Sequence, residues 1–405
     1  MKSLRNNFSD SYNQTYLTNQ KIKKDKNLKV ALTTYALVLF FCLTIVNGFQ
    51  FGVGFSGVFP AILLFILFLI IEKKELHFTK KHFYILLFWV LAAISTLFSK
   101  EVIPERNIIT FLFFVLFFII CTGINYSRRD ITFILNSYIF IASVSSINII
   151  WNFILENAYG WQRYSLEVFG IYRDPNYVSA FIIPAIGIVI YFILFQNNYS
   201  KYTKLFYYFS LLIMSLGMLS TGSRAAFILS VMVLMYNLIS FLMNILKSKN
   251  IYRILIILFS LFVCGVLLKN HLPESIVIRL TSFSEYSEDI RVGLWEQALE
   301  LFEKYPLFGA GMEAANKYLV SLGKHNSHNV FLDILIGQGL VGISLFLLII
   351  KEFIFVKKTH IYFMTLMVLG SFGPLLFING FNTASFWSPM ILCGVLSTYF
   401  KKGEI

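Results

Sequence analysis

Twelve almost uninterrupted apolar stretches dominate the sequence, at 30–47, 51–71, 83–99, 107–124, 131–155, 177–196, 203–221, 224–246, 251–268, 329–350, 361–379 and 384–400. A helix needs about 20 apolar residues to cross the hydrocarbon core of a bilayer, and these stretches are of that length. Lipid offers the backbone no hydrogen bonds, so a spanning segment must be a helix or part of a closed barrel. Barrel strands alternate apolar and polar residues, and these stretches do not. With 57% hydrophobic and 14% charged residues, the chain is too apolar for a water-soluble globule or for disorder. The pattern predicts an all-α polytopic membrane protein with about twelve transmembrane helices.

Lys and Arg number 34 against 21 Asp and Glu, a formal net charge of +13. In a soluble protein such an excess suggests nucleic acid; in a polytopic one it marks cytoplasmic loops. Threading the stretches with the N-terminus in the cytoplasm places about two thirds of the basic residues on that side. Among them are Lys73, Lys74, Lys80, Lys81, Arg128, Arg129, Lys357, Lys358, Lys401 and Lys402. The reverse orientation violates the rule at nearly every loop. The excess is therefore a topology signal with no nucleic acid behind it, and it predicts both termini in the cytoplasm. Residues 1–29 read as a basic cytoplasmic tail without a cleavable signal peptide. Residues 30–268 read as helices one to nine, 269–328 as one large extracytoplasmic loop, and 329–400 as helices ten to twelve. The large loop predicts an amphipathic helix from about Ile290 to Tyr305, with Asp289 as N-cap and Pro306 ending it. Arg291, Trp295, Ala298 and Phe302 share a stripe laid against the ends of the spans, and Glu296, Glu300 and Glu303 oppose it. A second outer loop covers 156–176.

Chemistry is expected on the outer face. Cys42, Cys121, Cys264 and Cys393 lie in or at the ends of apolar runs and read as buried hydrophobes, with neither a disulfide nor a zinc spacing. His325 and His328 are three residues apart with no third ligand, too little for a zinc site. No DxD, HExxH or GxxxxGK occurs, so no metal and no cofactor is expected. Gly309-Ala310-Gly311 reads as a tight loop after Pro306.

Three arginines stand out because outer loops avoid them. Arg224 follows Ser220-Thr221-Gly222-Ser223 at the start of the eighth stretch. Arg173 precedes Asp174-Pro175-Asn176 at the start of the sixth, and Arg291 opens the loop helix. A cation at a helix N-terminus opposes the helix dipole, so each needs an anion: a headgroup, a local carboxylate or a bound ligand. Helix N-termini and arginine forks both bind phosphate, and a pyrophosphate outside the membrane suits such a set. Asp174 as N-cap and Pro175 at the first helical position account for those two residues structurally. His328, at the mouth of the tenth stretch, is suited to take a proton near neutral pH, unless it or Asn329 merely caps the helix. Asp333, one turn in, orients a histidine or pairs with an outer arginine.

Taken together, these blocks resemble the bacterial O-antigen ligase and polysaccharide polymerase superfamily. The likeness rests on Ser223-Arg224-Ala225-Ala226 after a Thr-Gly, and on Arg291-Val-Gly-Leu-Trp295 running on to Tyr305-Pro306-Leu-Phe-Gly309-Ala-Gly311. It rests also on His328-Asn329, a nine-residue gap and Gly339-Leu-Val-Gly342, with Asp174-Pro175-Asn176 ahead of them. It covers about 173–342. The resemblance implies about twelve helices, a large outer loop before the tenth, and metal-independent transfer of a glycan from undecaprenyl pyrophosphate to an acceptor hydroxyl. It implies His328 as general base, with Arg224 and Arg291 holding the pyrophosphate as it leaves. Arg173, Asn329, Trp295, His325 and Asp333 are candidates for contacts to the pyrophosphate and glycan. His325 is not required by the family pattern, which leaves open which histidine acts. Implied partners are the lipid-linked oligosaccharide donor, an acceptor glycan (a lipid-linked repeat unit or a lipid A core), membrane lipids and a chain-length regulator.

Ligases and polymerases share a donor and differ in acceptor. The large loop resembles ligases. The Asp-Pro-Asn block and a Phe-, Lys- and Asn-rich composition favour a surface-polysaccharide polymerase in the bacterial cytoplasmic membrane. A twelve-helix transporter or flippase is the non-enzyme alternative, disfavoured because the long loop breaks a six-plus-six layout. A lipid-linked glycosyltransferase with an acidic base in the first outer loop is disfavoured because 47–52 holds no acid.

Overall fold

The computed structural model describes residues 29–46, 50–51, 55–101, 107–156, 163–168, 170–195, 199–245, 285–324, 326–378, 380 and 383–402. At 50–51, 55–56, 107, 171, 242–245, 285–291 and 402 only the backbone is described. In chain order the helices are α1 (Leu32–Val46), α2 (Phe59–Ile71), α3 (Lys80–Leu97), α4 (Asn107–Gly123), α5 (Arg128–Ile154), α6 (Pro175–Phe195), α7 (Lys201–Ser220) and α8 (Arg224–Ile245). They continue as α9 (Glu285–Lys304), α10 (Ala314–Ser321), α11 (Val330–Ile354), α12 (Ile361–Phe372) and α13 (Ala384–Lys402). A helix overlies each apolar stretch except 251–268, which lies outside the described residues. Among the described residues seven helical segments are long and apolar enough to cross a bilayer: α3, α5, α6, α7, α8, α11, and α12 taken with its flanking 3-10 turns (Lys358–Leu376). Two small antiparallel hairpins, β1–β2 (Gln50–Phe51, Phe55–Ser56) and β3–β4 (Glu167–Val168, Ile171–Tyr172), were not foreseen. The first displaces the start of the second helix from 51 to Phe59.

The helices carry large apolar side chains on the outward face as well as in the core. On α5, Phe140, Val144, Ile147, Trp151 and Ile154 form one exposed stripe, while Ala142, Ser145, Ser146 and Asn152 face inward. Large apolar side chains outward and small or polar ones inward is the arrangement lipid selects, because small residues let helix backbones approach. Gly217 of α7 shows it: a Cβ there would lie 2.7 Å from the Ser146 side chain of α5. The central helix, α6, is buried almost all round.

Consecutive helices run in alternate directions, so the bundle has two ends. One carries Lys73, Lys74, Lys80, Arg128, Arg129, Lys201, Lys204, Lys351 and Lys401. There two carboxylates from neighbouring helices satisfy the open amides of α1. Asp130 accepts from the Ala31 amide and the Thr34 hydroxyl, both at 2.9 Å. Glu72 accepts from the Leu32 amide and, at 2.8 Å, from the Thr33 hydroxyl. Lys81 is buried at this end, its ammonium donating to Gly394 O, Ser397 and Thr398 of α13. Cys121 and Cys393 are buried, Cys42 is half-buried, and all three are free thiols; Cys264 lies outside the described residues.

The opposite end carries a small subdomain made of α9, α10, the strap 305–312 and the first turns of α11. Its core is Leu294, Ala298, Leu301, Ala310, Ala314, Ala315, Leu319, Leu332 and Ile336. The sequence anticipated the amphipathic helix and the outward Glu296, Glu300 and Glu303, which are exposed. Three details differ. The helix begins at Glu285, so Asp289 lies within it and Arg291 sits in its second turn rather than at its start. Its most buried stripe is Leu294, Ala298 and Leu301, with Trp295 and Phe302 flanking. A second helix, α10, follows in a stretch read as loop.

The third block of glycines explains itself here. α11 is not one span but two segments joined at Gly339, whose φ of 67° and ψ of −165° interrupt the helix. The strap repairs the break with strand-like pairing. Ala310 N and Gly311 N donate to Ile336 O and Gly337 O, and Leu340 N and Val341 N donate to Pro306 O and Leu307 O. The outer end of α3 holds the strap from below: Ser95 donates to Gly337 O at 2.8 Å, Ser99 to Ala310 O, and Thr96 accepts from Met312 N at 2.8 Å. α3 is 18 residues long, about 27 Å, close to the thickness of a bilayer core. The segment Val330–Gln338 lies between the two parts: Leu332 and Ile336 join the subdomain core, while Val330 and Ile334 join the core of the bundle and Phe331 packs on Phe346 with ring centroids 5.7 Å apart.

Candidate functional site

Two clusters of polar side chains form at the subdomain end. The first is built on the N-termini of α6 and α8. Asp174 caps α6, its Oδ1 accepting from Asn176 N at 2.7 Å, and Pro175 opens the helix as the sequence predicted. Gly222 takes a φ of 58°, turning the chain from α7 into α8. Ser223 then caps α8, and Arg224 is its first residue, half-buried.

Asn176 stitches the two N-termini together. Its Oδ1 accepts from Ser223 Oγ at 2.9 Å and from Arg163 Nη2 at 3.0 Å. Arg163 Nε also reaches Thr221 O at 3.4 Å. The loop carrying Arg163 is held by two asparagines one turn apart on α5: Asn148 accepts from Glu167 N, and Asn152 donates to Ser165 O, both at 2.9 Å. Sequence reasoning missed Arg163 as a site residue. The available signal was Asn148 and Asn152 themselves, two amides at helical spacing inside an apolar run. Removing the shared acceptor strands two donors in a half-buried setting. Asn176→Ala is therefore expected to cost about 1–3 kcal/mol, read as a lower melting temperature, while Asn176→Asp keeps the acceptor and recovers most of it. An unshifted melting temperature in Asn176→Ala counts against this junction.

Arg173 has a structural partner. Its Nη2 donates at 3.2 Å to Thr44 O near the C-terminus of α1, where carbonyls lack helical partners. Burial lowers its guanidinium from the ordinary value, opposed by Tyr177 and Asp174. It lines a small cavity with Thr44, Ile45, Tyr177, Val178, Phe181, Ser385 and Pro389.

The second cluster surrounds His328 at the head of α11. His328 is half-buried with a φ of 51°, in the left-handed region that non-glycine residues rarely enter. Asn329 is the N-cap of α11, its Oδ1 accepting from Leu332 N at 3.2 Å; the cap is thus Asn329 and not His328. Asp333 is 2% exposed and belongs to the subdomain. Its described partners are Ser327, Asn316 and the Gly380 backbone, so no described contact pairs it with an arginine. Trp295 donates from Nε1 to Ser327 O at 2.9 Å. Farther out, Tyr318 donates to Glu300 at 2.8 Å and is raised above its usual value first by that carboxylate. His325 and the Arg291 side chain lie outside the described residues. Among the described residues no three His, Cys, Asp or Glu side chains converge.

The segment before α13 and the first turn of that helix bridge the clusters: Gly380 meets Asp333, and Ser385 lines the Arg173 cavity. His328, Arg173 and Arg224 therefore stand on one end of the bundle, opposite the lysine-rich end.

Such a fold, a bundle of apolar helices with polar clusters and a subdomain at one end, defines an all-α polytopic membrane protein. Residues 209–347, from α7 into α11, match the family described as O-antigen ligase. This stretch, about a third of the chain, is similar to that family, and it contains Arg224, Arg291, His325 and His328. Arg163, Arg173 and Asp174-Pro175-Asn176 precede it. No curated protein matches the chain.

Proposed function

We propose that the chain is a glycosyltransferase of the bacterial cytoplasmic membrane that polymerises surface-polysaccharide repeat units from undecaprenyl pyrophosphate. It crosses the membrane twelve times with both termini inside. The reading is carried by one observation: an arginine at the N-terminus of α8 and a histidine at the head of α11 share the end of the bundle opposite the one where most of the basic loop residues gather. The positive-inside rule puts that end outside the cytoplasm, where lipid-linked glycans are joined.

In the proposed reaction the His328 imidazole takes the proton of the acceptor hydroxyl. The hydroxyl oxygen attacks the anomeric carbon, and the bond from that carbon to the pyrophosphate oxygen breaks. The electron pair leaves with undecaprenyl pyrophosphate, whose growing charge is met by Arg224 and Arg291 and by the amides at the start of α8. Fixed cations make a metal unnecessary. The second reading, a ligase that joins the glycan to a lipid A core, is favoured by the description of the matched family and by the size of the subdomain before α11.

Reconstitution in nanodiscs with the lipid-linked repeat unit of the source strain, with and without lipid A core, decides between them. A ladder of chains on undecaprenyl pyrophosphate, made equally well in EDTA, is expected. Core-linked product alone establishes the ligase. Loss on chelation with rescue by a divalent ion overturns metal independence. Movement of intact donor across the membrane without transfer makes the protein a flippase.

A further inference from the structure

Resting on the reading of His328 as the base, we propose that Ser327, Asn316 and Asp333 form a positioning unit that locks the His328 backbone in its left-handed conformation. The unit fixes where the imidazole stands relative to the acceptor hydroxyl. Every polar group of Ser327 is used. Its Oγ donates to Asp333 Oδ1 at 2.6 Å, its N–H donates to Asn316 Oδ1 at 3.0 Å, and its carbonyl accepts from Trp295 Nε1 at 2.9 Å. The Ser327 hydroxyl also accepts from Asn329 N at 3.3 Å, and Asn316 Nδ2 closes the set on Asp333 Oδ2 at 3.3 Å. His328 is thus gripped on both sides, by a fully bonded serine and by the N-cap of α11.

The partners come from three elements: Trp295 from α9, Asn316 from α10 and Asp333 from α11. Neighbours of Asp333 on α11, Leu332, Ile334 and Ile336, are buried hydrophobes, so packing alone does not call for a carboxylate there. Burying one is costly unless it is fully hydrogen-bonded, and what it yields here is one defined position for a single residue of the chain. The φ of 51° at His328 is unfavourable for a non-glycine residue and persists where its surroundings over-determine it. Ser327 and Asn316 are assigned no contact with substrate; they act through His328.

The test uses the full chain in nanodiscs with two readouts. One is binding of undecaprenyl pyrophosphate as the probe. The other is long-chain polysaccharide made by the source strain carrying only the variant. Ser327→Ala and Asn316→Ala are expected to lower transfer about 10- to 100-fold while probe affinity stays at the parental value, both measured below the melting transition, which falls because the buried Asp333 carboxylate loses a partner. Ser327→Thr, which keeps the hydroxyl, restores most of the transfer. Ser327→Cys, which keeps the shape and weakens the bond to Asp333, provides a milder variant should the alanines fail to fold, and it is expected to show the same split. Parental transfer in these variants overturns the proposal, as does a loss of transfer matched by an equal loss of probe binding at temperatures where the variant is folded. His328→Ala separates the two levels. If it transfers normally, the base reading itself fails. If it is inactive while Ser327→Ala and Asn316→Ala are fully active, the positioning unit alone fails.

Discussion

His328→Ala is expected to abolish long-chain product, and Arg224→Ala to do nearly the same, in protein that still inserts and melts as the parent does. The magnitudes follow from the proposed roles. A positioned general base contributes about 10²–10⁴-fold in rate, and a fixed donor at a developing anion about 10²–10³-fold. Neither substitution removes a core side chain. His328 and Arg224 are both half-buried, and Ser223, Asn176 and Arg163 hold the junction beneath Arg224 together. The caps of both helices survive as well, since α8 is capped by Ser223 and α11 by Asn329. The check is a gel of surface polysaccharide from cells carrying each variant, beside membrane abundance and a melting curve. Normal chain lengths from both variants sink the mechanism. Loss of the folded protein instead moves both residues into the scaffold.

The parts of this fold that were legible are those set by local chemistry. Apolar runs of bilayer length dictate helices because lipid leaves the backbone no other partners. Asp174 before Pro175 announces a helix start through capping alone, and Pro306 marks the end of α9 because it cannot continue a helix. Contacts between distant segments were not legible. Ile336-Gly337-Gln338-Gly339-Leu340 is apolar enough to pass for continuous helix, and only the strap 305–312, at a sequence distance of some thirty residues, reveals that it breaks. Arg163 sits in a loop without periodicity, so nothing around it announced that it reaches Asn176. The partners of Asp333 were not legible either: Ser327 lies six residues before it, but Asn316 and Gly380 come from distant segments. The glycines Gly309, Gly311, Gly337 and Gly339 were the clue: two groups that make sense only when laid against each other.

That crossing yields the second large expectation. Gly339→Ala is expected to destabilise the protein by about 3 kcal/mol or more, combining backbone strain with overlap. The conformation at Gly339, φ 67° with ψ −165°, is open essentially to glycine alone. A Cβ there would lie 2.2 Å from Leu307 O, a backbone atom with no rotamer to move. Nor can the strap withdraw, since Leu340 N and Val341 N donate to Pro306 O and Leu307 O beside it. Gly309→Ala meets the same obstacle from the other side, 2.3 Å from Gln338 N at a φ of 77°. Gly293→Ala is the internal control. It lies within α9 with nothing within 4 Å of a Cβ, and alanine there should raise stability by about 0.5–1 kcal/mol. Melting curves in detergent distinguish the three, and a Gly339→Ala protein as stable as the parent contradicts the strap pairing. The consequence for activity follows from the geometry. The segment Val330–Gln338 carries His328 at its head, and the strap is what fixes its direction relative to the rest of α11. A chain forced straight at 339 keeps its base, its arginines and its hydrophobic spans, yet moves His328 relative to Arg224. Gly339→Ala is therefore expected to lose glycan transfer even at temperatures where most of the protein remains folded.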